Sequence, residues 1–92
     1  GDQGPVNALN RALAKDLGPY QDCIDDMKLV DYKVRITGRG TDAVTRVIID
    51  SEDSKGRRWS TVGVSANIVD ASFEALLDAM IWKLIRDGVK PV

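Results

Sequence analysis

The chain has 92 residues, with 13 Lys+Arg against 14 Asp+Glu, no histidine and one cysteine, so its formal net charge is −1. At 43 % hydrophobic and 29 % charged, it describes a single small domain with material for one core and little margin beyond it. This composition excludes Ser-His-Asp and Cys-His catalysis, an internal disulfide and a Cys/His zinc site, so catalysis by this chain alone is not expected.

No apolar run approaches the roughly 20 residues of a membrane-spanning helix. The first residues also lack the basic and apolar regions of a signal peptide, which makes the cytoplasm the expected location.

Gly4-Pro5 opens the first periodic segment. Pro5 suits a first helical turn, and Val6, Leu9, Leu13 and Leu17 recur at helical spacing, which predicts an amphipathic helix over 5–16. Gly18-Pro19 stops it, since glycine accepts a left-handed cap and proline cannot continue the hydrogen-bond ladder. Asp22, Asp25, Asp26 and Asp31 follow. They match no calcium-loop spacing and read as a solvated acidic linker, with no metal site expected.

Residues 29–37 alternate, with Val30, Tyr32, Val34 and Ile36 on one face and Asp31, Lys33 and Arg35 on the other, as in a half-buried strand. Gly38-Arg39-Gly40 has two glycines of a phosphate loop. It lacks the third and the following helix, so it reads as a hairpin turn. A second strand is expected over 44–50, a polar turn over 51–58, and a third strand over 59–64 with Trp59 and Thr61 opposite Ser60, Val62 and Val64. Short connections make this an antiparallel meander.

The last element is a helix over 68–87, capped by Asn67 or Ser65 and ended by Gly88. Its expected core stripe is Phe73, Leu76, Leu77, Met80 and Leu84. Asp70, Glu74 and Asp78 lie on another side, where Ile81, Trp82 and Ile85 form a second apolar surface suited to a partner. The expected fold is α+β, a single domain over 1–92 of αβββα order, with helices on one face of a three-stranded sheet.

That order is shared with double-stranded-RNA-binding domains, and Lys55, Arg57 and Arg58 cluster in the second hairpin. Asp70 and Glu74 occupy the start of the last helix, where phosphates would be met, so no nucleic-acid partner is expected. The more informative segment is Thr61 to Ile68. There a strand passes through Gly63 and small residues into a helix N-terminus, whose N–H groups can hold a carboxylate beside the apolar Val64, Ala66 and Ile68. An ordinary capped connection would look the same.

Five collinear motifs carry a resemblance across nearly the whole chain: Gly4-Pro5-Val6-Asn7-Ala8-Leu9, Asp31-Tyr32-Lys33-Val34-Arg35, Gly40-Thr41-Asp42-Ala43, Thr61-Val62-Gly63-Val64-Ser65 and Asn67-Ile68-Val69-Asp70-Ala71-Ser72. Together they resemble the C-terminal regulatory domain of the isopropylmalate synthase and citramalate synthase family, more closely the citramalate branch. The resemblance implies an allosteric, dimerising module built of two βββα units, of which this chain holds the last helix of the first and all of the second. A separate catalytic barrel with a divalent metal would condense acetyl-CoA with a 2-oxo acid, and nothing here matches that barrel, so no cofactor is expected in this chain.

The implied partners are a second copy, the catalytic domain, and an end-product amino acid, isoleucine in the citramalate branch or leucine in the other. By position, Val6, Leu9 and Leu13 would enclose the effector side chain together with Ala66 and Ile68, with N–H groups near Asn67 receiving its carboxylate. Tyr32 and Asp42 are further candidates for contacts to the ligand or its ammonium.

Overall fold

The structure, a computed structural model, describes residues 17–89. The helix expected over 5–16 lies outside them. A 3-10 turn, Gly18–Tyr20, leads into a short helix α1 (Gln21–Asp25), then strands β1 (Met27–Thr37), β2 (Val44–Asp53) and β3 (Arg58–Ser65), and a long helix α2 (Ile68–Arg86). The strands form one antiparallel sheet in the order β1-β2-β3, the expected meander. Helix α1 falls in the stretch read as a linker, and it buries Ile24.

The second hairpin is tighter than its polar composition implied. Ser51, Glu52 and Asp53 stay in register with Leu29, Lys28 and Met27, and Ser51 and Glu52 also pair with Trp59 and Arg58. Ser51 and Asp53 point inward and are buried, so alternation continues through residues whose polarity suggested a turn. The reversal is held by Asp53, whose Oδ1 accepts from the N–H groups of Lys55 at 3.1 Å and Arg57 at 3.0 Å, and by Gly56 at φ 78°.

Strand β1 carries a register shift between Leu29 and Asp31 that leaves Val30 without a partner. The face expected to hold Val30, Tyr32, Val34 and Ile36 is therefore broken at its first member. Met27 and Tyr32 are buried, whereas Val34 and Ile36 remain 39 % and 67 % exposed. The cause is the position of α2, which lies over β3 and then β2 and leaves the far half of β1 uncovered.

Helix α2 sits on β3 in step. Four helical residues rise about 6 Å and two strand residues about 6.6 Å, so positions 71, 75 and 79 can follow 63, 61 and 59. A Cβ on Gly63 would lie 1.8 Å from the Ala71 carbonyl oxygen. Thr61 Oγ1 donates to the Ala75 carbonyl at 2.7 Å, and Trp59 Nε1 donates to that of Ala79 at 3.1 Å.

Approach this close selects small side chains on the helix, and it corrects the expected stripe. The buried residues are Ala71, Ser72, Ala75, Leu76, Ala79, Met80 and Lys83, while Phe73 and Leu77 are each 40 % exposed and Leu84 is half-buried. Trp82 is also corrected, because it stacks on Trp59 with ring centroids 4.2 Å apart and is not free for a partner. Ile81 and Ile85 are exposed as expected. No helix among the described residues is long and apolar enough to cross a membrane.

Replacing Gly63 by alanine should force α2 off β3. A loss of about 3 kcal/mol or more is expected, read as a lowered urea midpoint.

Candidate functional site

The two ends of α2 hold the chemistry. At its N-terminus, Asn67 is the cap, with extended backbone and its Oδ1 accepting from the Asp70 N–H at 2.8 Å. Asn67 Nδ2 donates to Asp70 Oδ2 at 2.8 Å, and the Asn67 carbonyl takes the Ala71 N–H. These bonds leave the N–H groups of Ile68 and Val69 as the donors an incoming carboxylate can reach.

Ala66, Asn67 and Ile68 are contiguous and exposed. Val6, Leu9 and Leu13, expected to face them, lie outside the described residues. Tyr32 is buried with its hydroxyl 3.1 Å from Ser72 Oγ, which already occupies the group offered for ligand contact. Asp42 sits on the exposed 3-10 turn Gly40–Asp42.

At the other end, sequence reasoning missed the most highly charged interior feature. Lys83 is fully buried, and its ammonium is held by Asp26 at 2.9 Å, Asp53 at 3.0 Å and Asp87 at 2.8 Å. Arg57 bridges Asp53 and Asp87, and Lys55 reaches Asp87 from outside. The cluster thus joins the residue after α1, the β2–β3 hairpin and the end of α2. The lysine sits four residues after Ala79 on the sheet-facing stripe, and that spacing was the available signal. A lysine is seldom fully buried, so residue type alone pointed away from the core.

Burial would lower the pKa of Lys83, but hydrogen bonds to Asp87, Asp26 and Asp53 outweigh it and hold the group well above its ordinary value. Burial would raise that of Asp53, and donation from Arg57 and Lys83 holds it well below the usual carboxylate range. Asp87 is held low by Lys83 and Arg57. Cys23, whose Sγ lies 3.4 Å from Asp87 Oδ2, is pushed up by burial and by that carboxylate, which keeps it a thiol.

These groups are mutually satisfied and form a clasp. The basic cluster expected at Lys55, Arg57 and Arg58 is divided accordingly, with two of its members turned onto Asp87. No group of three or more His, Cys, Asp or Glu suited to a metal occurs among the described residues. Beside the clasp lies an apolar cavity of about 230 Å³ lined by Tyr20, Ile81, Leu84, Ile85 and Val89.

Among the described residues, a three-stranded meander backed by α2, with a capped helix N-terminus at one end and an ionic clasp at the other, defines an α+β module of βββα build. The LeuA allosteric (dimerisation) domain family matches residues 2–83, and the chain belongs to that family. It is 48 % identical over 86 residues to an (R)-citramalate synthase of Aquifex aeolicus, covering 91 % of this chain and 16 % of the relative. Identity is 54 % over 83 residues to the (R)-citramalate synthase of Geobacter sulfurreducens, covering 88 % and 16 %. With a 2-isopropylmalate synthase of Methanocaldococcus jannaschii it is 36 % over 77 residues, covering 84 % and 14 %. The chain thus spans 16 % of the length of the two citramalate synthases. No solved structure matches it at a significant level.

The clasp sets the pH dependence. Carboxyls held low contribute fully above their unfolded values near pH 4 and lose that contribution as pH falls toward the folded ones. Lys83 contributes fully below its unfolded value near pH 10 and loses that contribution as pH rises through the folded one. Urea unfolding should therefore give a stability plateau between about pH 5 and 8, falling on the acid side as the carboxyls protonate and on the alkaline side as the unfolded-state thiol of Cys23 ionises. Lys83→Met should cost about 3–5 kcal/mol at pH 7 by leaving carboxylates facing one another, and the variant should gain stability on mild acidification where the native chain does not.

Proposed function

We propose that this chain is the effector-binding and dimerisation part of a citramalate synthase-like acyltransferase, which condenses acetyl-CoA with pyruvate, and that isoleucine is its feedback effector. The observation that carries this reading is the identity gradient, 48 % and 54 % to the two citramalate synthases against 36 % to the 2-isopropylmalate synthase. Leucine is the effector that the other branch would require.

The start of α2 supplies chemistry for both charges of an amino acid. The N–H groups of Ile68 and Val69 suit the carboxylate, and the Asp70 carboxylate suits the ammonium. Ala66 and Ile68, with Val6, Leu9 and Leu13, supply the aliphatic contacts. Dimerisation is the second half of the proposal, and the exposed Ile81 and Ile85 on α2 offer it apolar surface. Inhibition then works by linkage, with the effector binding one arrangement of the enzyme more tightly than another. Acyl transfer belongs to the catalytic part of the longer enzyme, whose metal and acetyl-CoA are held there, and this part acts in the cytoplasm.

Isothermal titration of the 92-residue chain should show saturable isoleucine binding in preference to leucine and valine. A leucine preference would move the assignment to the isopropylmalate branch, and no binding of any of the three would leave a dimerisation module without an effector. In the full-length enzyme, Ala66→Phe should fill the effector site and relieve isoleucine inhibition, whereas unchanged inhibition would place the site elsewhere.

A further inference from the structure

Helix α2 covers one part of the inner face of the sheet and leaves another bare. Its β3 side is fixed by Gly63 against Ala71 and by Thr61 bonded to the Ala75 carbonyl, and its β1 side by Tyr32, whose hydroxyl meets Ser72 Oγ. At about 100° per residue, Leu76, Met80, Phe73 and Leu77 follow Ser72 round the helix, away from β3. The last two are exposed, and so is Val69 on the same flank. Below them, Val34 and Ile36 are exposed on the inner face of β1. Val34 pairs with Val47, which pairs with Gly63, so Val34 lies level with Ala71 on α2. The helix flank and the strand thus form two walls of one apolar groove.

The dimensions of this groove suit a second helix. Strands lie about 4.8 Å apart and packed helices about 8–10 Å. Since α2 is centred over β3 and β2, a helix beside it on this side rests on β1. The described residues begin at one end of the groove, where Leu17 packs on the core and Tyr20 lies against Ile81, Leu84 and Ile85. Before Leu17, the sequence carries Val6, Leu9 and Leu13 at helical spacing, and twelve helical residues, 5–16, would measure about 18 Å. Along α2 the distance from Leu84 back to Phe73 is about 16 Å. In step with α2, Leu13 falls beside Met80, Leu9 beside Leu77 and Val6 beside Phe73. The family match covers residues 2–83, so this stretch belongs to the same domain.

We propose that residues 5–16 lie in this groove as a helix parallel to α2, with Val6, Leu9 and Leu13 turned onto Phe73, Leu77 and Val34. Attached at the end of the groove, the segment needs little affinity of its own to stay there. A second copy is the weaker occupant, because a stable interface takes about 20–30 residues a side, and the exposed apolar side chains here are Val34, Ile36, Val69, Phe73 and Leu77. Ile81 and Ile85 lie further round α2 and stay available to a second copy. Placed this way, Val6 is the member of its stripe nearest Ala66 and Ile68. The effector site proposed above then has both its walls only while the segment is docked, a consequence that rests on that reading, whereas the docking itself does not.

The test is nuclear Overhauser spectroscopy of the 92-residue chain without effector, with isotope-labelled chains diluted into an excess of unlabelled ones so that contacts within one chain are read alone. Contacts from the Leu9 and Leu13 methyls to the Phe73 ring and the Leu77 methyls are expected, with Val6 reaching Val34. Their absence overturns the proposal, whether the groove is empty or filled by another chain. In urea unfolding, Leu9→Ala and Leu77→Ala should each lower the midpoint, and the double variant should lower it by clearly less than the sum of the two. Additive shifts overturn the proposal. Contacts present in a chain that binds no isoleucine support the docking and count against the effector assignment alone.

Discussion

The contact of α2 with β3 is the constraint on which the rest of this structure depends. Gly63 admits the Ala71 carbonyl to a distance that no side chain would allow, and the two steps below it are fixed by bonds from Thr61 and Trp59 to the carbonyls of Ala75 and Ala79. Side-chain donors on a strand thus bond to backbone acceptors on a helix at matched repeats. Sliding the helix by one residue would break both bonds and bring a larger residue to Gly63. The pairing specifies one register as well as adding stability.

Two consequences follow from that placement. Because α2 is centred over β3 and β2, β1 keeps apolar groups on its inner face, Val34 and Ile36, while Phe73 and Leu77 stay open on the helix. Among the described residues α2 is the helix packed on the sheet, and it covers one side. The other consequence is at the far end of α2, where the next step of four along the sheet-facing stripe is Lys83. Its ammonium meets Asp53 under the hairpin and Asp26 just after α1, so the helix C-terminus, the hairpin and the entry of the chain are tied by charge where no apolar side chain could reach all three.

Much of this was legible in the residues, for reasons that also explain what was not. Alternation located β1 and β3, Asn67 announced the start of α2, and the spacing of turn residues gave the meander. The helix face was misassigned because size was taken as the mark of burial. Phe73 and Leu77 are large but the sheet lies too close for them, and Ala71, Ala75 and Ala79 are buried because they are small. Lys83 escaped for the complementary reason, since its three carboxylates come from segments far apart in sequence and no local window holds them together. The break at Val30 was likewise invisible, because a bulge changes the pairing without changing the pattern of residue types. Of the six residues expected to form the effector pocket, Ala66, Asn67 and Ile68 lie among those described, and the cap chemistry at Asn67 was readable because it is local.

A regulatory part must convert a small binding free energy into a change elsewhere, and coupling of about 1–3 kcal/mol is typical of such systems. An energy of that size is lost if the intervening structure yields. Here the start of α2, where the effector is proposed to bind, and the outer sheet face are separated by the α2–β3 contact, in which a glycine admits a helix carbonyl and two side-chain donors bond to the helix backbone. Gly63 is buried against the helix, while its strand neighbours Val62 and Val64 point to the opposite face. Displacement of the α2 N-terminus by a ligand therefore bears directly on the strand whose other side carries two of the exposed valines. On this geometry a shift at the helix crosses the layer without a long chain of side chains, because one strand has Gly63 against the helix and Val62 and Val64 on the outer face.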